Sequence, residues 1–209
     1  MQTTPLPSAA LERVRKLIAS GQRKILGIAA APGAGKSTLA QGLRQAFGSA
    51  VQVLPMDGFH LANSELQRLG RAGRKGAPDT FDAEGYVHLL HRLRQQQAGQ
   101  TIYAPDFRRE IEESVAGAIA LEASTPLIVT EGNYLLLQDG TWQQVRAALD
   151  EAWYLELEPA LRQQRLLARH MQFGRSREAA LAWIAQTDEP NAQRIEGTRG
   201  RADWVLHAS

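Results

Sequence analysis

A three-layer α/β/α fold around a mostly parallel sheet is what this 209-residue sequence predicts. Three features carry that expectation. Short apolar runs alternate with helical stretches; each run is continuously apolar, as in strands covered on both faces; and one run leads through a Gly-rich turn straight into a helix. The elements follow in chain order. Ser8 can cap a helix that carries Leu11, Val14, Leu17 and Ile18 on one face and stops near Gly21. Residues 24–30 read as a buried strand, 36–47 as a helix and 51–55 as a second strand. Residues 57–78 are polar and rich in Gly and Arg, the composition of a functional loop region. Tyr86, Leu89, Leu90 and Leu93 stand at helical spacing, with Gly99 to close the helix. Residues 126–130 and 152–157 are further strands, with a helical segment near 141–149 between them. A polar, Arg-rich helix follows Pro159, and residues 203–206 suit a last strand.

The length suits one core, so a single domain over 1–209 is expected, with a helical lid at about 160–178 inside it. The absence of cysteine excludes a disulfide framework and a thiolate metal site. The net charge of +2 asks for neither nucleic acid nor an anionic membrane as partner. The N-terminus lacks the basic start and apolar stretch of a secretion signal, and no apolar run approaches the roughly 20 residues of a membrane span. A soluble, cytoplasmic protein without membrane insertion is the expectation.

The sharpest motif is Ala30-Ala31-Pro32-Gly33-Ala34-Gly35-Lys36-Ser37-Thr38. From Gly35 onward it matches the phosphate-binding pattern G-x-x-x-x-G-K-[ST], after a strand and before a helix, with Ala30 where the first glycine is usual. The chemistry asks for these residues. A triphosphate must be wrapped by backbone N–H groups, which Gly33 and Gly35 allow to approach closely. The helix N-terminus adds positive potential, Lys36 reaches the β- and γ-phosphates, and the Ser37 hydroxyl is offered to Mg²⁺. ATP with Mg²⁺ is the expected cofactor, and the expected fold is a P-loop NTPase.

Transfer of phosphate also requires a held metal and an activated acceptor. Glu131 ends the apolar run 127–130, at the strand edge where open α/β sheets bind ligands, and suits the metal. Asp57 lies at the equivalent tip of the second strand, where a carboxylate can take the proton of an acceptor hydroxyl. A turn-forming Asp-Gly pair explains it equally well. Arg162, Arg165 and Arg169 form one stripe at i, i+3 and i+7, followed by Arg175 and Arg177, and can close over a triphosphate. His60, His88, His91 and His170 show no metal-ligand spacing.

Together these strings resemble the uridine kinase, phosphoribulokinase and bacterial pantothenate kinase group of P-loop kinases. The resemblance rests on 31–38, Met56-Asp57-Gly58-Phe59-His60, residues 74–82, residues 103–107, Thr130-Glu131-Gly132-Asn133-Tyr134 and the arginine helix. It looks most like a branch labelled nucleoside/nucleotide kinase-like, which includes kinases associated with bacterial fructose transport systems. The resemblance implies that Asp57 is the catalytic carboxylate, with Lys36 and Glu131 beside it. It implies a nucleotide site of Gly33, Ala34, Gly35, Lys36, Ser37 and Thr38, with Arg165 and Arg169 in the lid and Ser37 and Glu131 at the metal. His60, Arg74, Lys75, Asp82, Asp106 and Arg108 would face a small hydroxylated acceptor. Lys75-Gly76 stands where uridine kinases carry an aromatic–acid pair, which counts against a pyrimidine nucleoside. Residues 74–82 offer charged and hydrogen-bonding groups with Phe81 as the one aromatic, so a sugar or polyol such as fructose is expected, with a nucleoside or pantothenate-like alcohol as the alternative. Asp82 also suits a helix cap. Two other readings stay open: a regulatory nucleotide switch, which lacks an N-K-x-D motif here, and a weakly active nucleotide-binding partner of a transporter.

Overall fold

Five parallel strands form the central sheet of the computed structural model, which describes residues 6–208. They are β1 (Lys24–Ala29), β2 (Val51–Pro55), β5 (Leu127–Gly132), β6 (Glu151–Glu156) and β7 (Trp204–His207), in the order β2-β5-β1-β6-β7. A separate antiparallel hairpin joins β3 (Thr101–Arg108) to β4 (Glu113–Glu122). The helices are α1 (Ser8–Ile18), α2 (Lys36–Phe47), α3 (Asn63–Arg68), α4 (Ala83–Arg94), α5 (Pro159–Gln172), α6 (Arg177–Trp183) and α7 (Glu189–Glu196).

The continuously apolar strands feed two cores. Leu26 and Ile28 of β1 face Val14 of α1 and Leu39 and Leu43 of α2, with Val129 and Trp153. Ile25, Leu54 and Ile128 face the other way, onto Tyr86, Leu90 and Leu93 of α4 and onto Trp142. Each fully buried aliphatic side chain contributes about 1.5–3 kcal/mol, so two such layers hold the strand ends in a fixed register.

The hairpin is tied to the sheet by a side chain acting as a peptide group. Gln52 of β2 donates from Nε2 to the Ala120 carbonyl (2.9 Å), and its Oε1 accepts from the Glu122 N–H (2.8 Å) and the Thr125 hydroxyl (2.9 Å). Further along, the hairpin crosses the short 3₁₀ turn Met56–Phe59 so closely that a Cβ on Gly58 would stand 2.3 Å from the Pro105 carbonyl oxygen. Gly58 is therefore a packing requirement as well as a turn residue.

Several local expectations are corrected. Ser8 is the first helical residue rather than a cap; Pro7 precedes it, with no side-chain cap. The stretch expected as irregular loop contains α3. α4 ends at Arg94, well before Gly99, which lies in the turn to β3. The helical segment near 141–149 is two 3₁₀ turns, Gly140–Gln144 and Arg146–Ala148. The hairpin, α6, α7 and the π-helical turn Ile184–Asp188 between those two helices were not anticipated. No helix among the described residues is long and apolar enough to cross a membrane.

Candidate active site at the strand tips

Sheet register assembles what the sequence separates. Ala29 of β1 stands beside Gly132 of β5, and Pro55 of β2 beside Glu131, so three strands end level. The Gly-rich turn leaves β1, Asp57 follows β2, and Glu131 is on β5 itself.

In that turn Gly33 and Gly35 have φ of +84° and +96°, and α2 begins at Lys36. Ala30 is not left-handed, since Glu112 is the one non-glycine with positive φ among the described residues. Alanine therefore fits the first-glycine position without strain. Gly33 answers to a second constraint: a Cβ there would lie 2.8 Å from Leu166 Cγ and 2.9 Å from the Arg162 carbonyl oxygen, both on α5. Gly33→Ala is expected to cost about 1–3 kcal/mol through overpacking and φ strain, lowering Tm by several degrees. An unchanged melting temperature would show that α5 does not rest on the turn.

A cleft of about 470 Å³ opens beside the turn, lined among others by Lys36, Ser37, Asp57, His60, Lys75 and Arg169. The Ser37 hydroxyl donates to Glu131 Oε1 at 2.8 Å. Burial pushes the Glu131 carboxyl up; Lys36 opposes this, Asp57 adds to it, and the Ser37 hydrogen bond offsets part of it. For Asp57, burial also pushes upward, but the charges of His60, Lys36, Arg109 and Arg169 prevail and hold the carboxyl below the ordinary range. His60 is itself pushed down, first by burial, so the effective cations near neutral pH are Lys36, Arg109 and Arg169. Its Nδ1–H donates to the Asp57 carbonyl (2.8 Å), which leaves Nε2 as an acceptor. The ring lies against Phe81 (centroids 3.9 Å apart, tilted 38°) and Phe107 (4.8 Å, tilted 44°).

The other expected residues divide. Thr38 is in the first turn of α2, and Arg165 stands 3.7 Å from a Cβ built on Gly35. Arg162 leaves the lid stripe: it is 1% exposed, and its Nη2 holds both carboxylate oxygens of Glu189 at 3.0 and 2.9 Å, latching α5 to α7. Four residues expected toward the acceptor do not line the cleft. Arg74 pairs with Asp79, Asp82 caps α4 through the Gly85 N–H (2.8 Å), and Asp106 and Arg108 pair with each other at 3.5 Å. Phe107 of β3 and Arg109, in the turn that follows it, line the cleft instead. Asn133 also lines it, with its Oδ1 buried and without a hydrogen-bond partner among the described residues.

A second cavity, about 510 Å³, lies on the other side of the turn, between Ala31, Ala34, Tyr154, Leu157, Arg162 and Arg199. The arrangement can hold an extended anion along the Gly-rich turn, with carboxylates at one end of it.

Residues 25–208 match the Phosphoribulokinase / Uridine kinase family. A crystal structure of a "putative fructose transport system kinase" from Silicibacter sp. TM1040 is similar at 35% identity and a TM-score of 0.86, over 97% of this chain and 100% of that one. A Schizosaccharomyces pombe protein named "putative uridine kinase" is 33% identical over 93% of this chain and 87% of its own length. The pantothenate kinase of Lacticaseibacillus casei is 32% identical over 69% of this chain and 48% of its own length. With its phosphate-binding turn, its level strand tips and these matches, the chain belongs to the phosphoribulokinase/uridine kinase family and is a P-loop kinase.

Proposed function

We propose that this kinase moves the γ-phosphate of ATP onto a hydroxyl of a small polyhydroxylated metabolite, a sugar or polyol such as fructose. The observation that supports the reading is the shared strand edge: Lys36, Ser37 and Asp57 line one cleft, and buried Glu131 lies behind it, bonded to the Ser37 hydroxyl at 2.8 Å. The triphosphate runs along Gly33–Thr38, with Lys36 at its β- and γ-phosphates and the base in the second cavity. Asp57 takes the proton as the acceptor oxygen bonds to the γ-phosphorus and the bond to the leaving ADP oxygen breaks. His60 Nε2 receives a hydrogen bond from the acceptor. Arg165 and Arg169 close over the phosphates as the lid.

Mg²⁺ fits the residues present. Ser37 and Glu131 already meet at 2.8 Å and offer the oxygen donors this ion prefers. No group of three or more His, Cys, Asp or Glu among the described residues suits a metal, which agrees with an ion whose remaining ligands are phosphates and water. When bound, it neutralises charge on the phosphates.

The polyol assignment rests on Phe81 and on the polar groups of the cleft, which Phe107, Phe173 and Trp183 line as well. Phe81 is 7% exposed, packed against His60 and met edge-on by Tyr134 and Trp142, so it presents no open face to a base. His60 and Asn133 instead offer polar atoms to hydroxyls. With ATP and fructose, ribose, uridine, cytidine or pantothenate supplied separately, the highest kcat/KM is expected for a sugar. A nucleoside or pantothenate giving the highest value, with sugars at background, overturns the polyol assignment and leaves the kinase.

A further inference from the structure

The β3–β4 hairpin ends on the candidate catalytic carboxylate. Arg109, in the turn after β3, places Nη2 3.3 Å from Asp57 Oδ2 and lies over the Phe107 ring at 5.9 Å. That turn is held from outside. Glu112 carries φ of +52°, a conformation that costs a non-glycine residue about 1 kcal/mol or more. Its carbonyl accepts from Lys75 Nζ (2.5 Å) and Asn63 Nδ2 (3.2 Å), while the Glu113 carboxylate accepts from the Asn63 N–H (3.1 Å). Lys75 also donates to Asn63 Oδ1 at 2.6 Å and stands over Phe107 at 5.1 Å. Two neutral oxygens thus occupy the Lys75 ammonium and fix the strained turn that presents Arg109.

We propose that Arg109 is a positioning residue for phosphoryl transfer, aiming Asp57 at the acceptor hydroxyl, and that Lys75 serves the reaction by holding the hairpin turn. This rests on the reading of Asp57 as the residue that meets the acceptor. Arg109 occupies Oδ2 and leaves Oδ1 for the hydroxyl, so one carboxylate oxygen is fixed by a guanidinium and the other faces the incoming group. Lys36 and Arg169 also face Asp57, as do His60, Glu131 and Tyr134, but the ion pair is with Arg109. The Arg-Lys-Gly string then has a structural meaning: its lysine reaches the hairpin.

The test uses the full-length chain with ATP and Mg²⁺ and the best acceptor among fructose, ribose, uridine, cytidine and pantothenate. Arg109→Ala is expected to lower kcat about 10–100-fold while KM for ATP stays within about twofold. Added guanidinium should restore part of the rate, and Arg109→Lys should fall between. Lys75→Met should lower kcat as well, and the double variant should be no worse than Arg109→Ala, as expected for residues acting in one unit. Hydrogen exchange gives a readout independent of turnover: Lys75→Met should speed exchange at residues 109–113 by about tenfold, and Arg109→Ala should leave the turn's protection in place. Unchanged kcat in Arg109→Ala, a loss confined to ATP affinity, or unchanged exchange in Lys75→Met overturns the proposal while the kinase reading stands. A wild-type chain that phosphorylates none of the five removes the small-molecule kinase reading and this proposal with it.

Discussion

Lys36→Ala is expected to abolish measurable transfer and to weaken ATP binding. The residue is 8% exposed, opens α2 at the end of the phosphate turn and lines the cleft. Removing it deletes the point charge proposed for the β- and γ-phosphates, where loss of one preorganised donor costs about 10²–10³-fold in rate. A second effect adds to the first. Lys36 is a cation shared by two carboxylates, half-buried Asp57 and buried Glu131, which repel each other. Without it Glu131 moves further toward its neutral form and becomes a poorer metal ligand. Steady-state ATP consumption with a working acceptor checks this, and turnover close to wild type would mean the phosphates lie elsewhere.

Asp57→Asn separates binding from chemistry. Asparagine keeps the shape and the backbone of the 3₁₀ turn but removes the proton acceptor and its charge. General-base contributions are typically about 10²–10⁴-fold, so kcat should fall by that order while ATP affinity stays near normal. The loss should appear with every acceptor the enzyme takes, because the proton belongs to the attacking hydroxyl and not to a specificity contact. Were turnover kept and only ATP affinity lost, Asp57 would belong to the nucleotide rather than to the acceptor.

The nucleotide end of the site was legible because strand tips are marked twice in a sequence, by an apolar run and by the polar residue that ends it. Asp57 and Glu131 stand in such positions, Lys36 and Ser37 are marked by the Gly-rich turn that leads from β1 into α2, and register does the rest. The hairpin side of the cleft was not legible, because the hairpin hides its pattern. Residues 116–118 of β4, Ala-Gly-Ala, are all exposed and carry no alternation that separates strand from loop. Once β3 is known to be a strand, its two-residue period separates Phe107 from Asp106 and Arg108, and the turn after the strand brings Arg109 beside Phe107. Arg162 misled for a different reason. Its burial depends on Glu189, 27 positions away, and nothing local on a polar helix announces a partner at that distance. Gly58 and Gly33 read as turn and phosphate-approach residues, and the packing of Pro105 and Leu166 against them is a further constraint that the local sequence does not show.

The most direct measurement follows the γ-phosphate itself. With γ-labelled ATP, Mg²⁺ and the sugars and alcohols named above, the label should leave ATP at an acceptor-dependent rate and be recovered covalently on one of them. Lys36→Ala should leave the label on ATP. Label recovered as inorganic phosphate at one rate with and without every acceptor would contradict the account, because Asp57 would then be serving water or nothing at all.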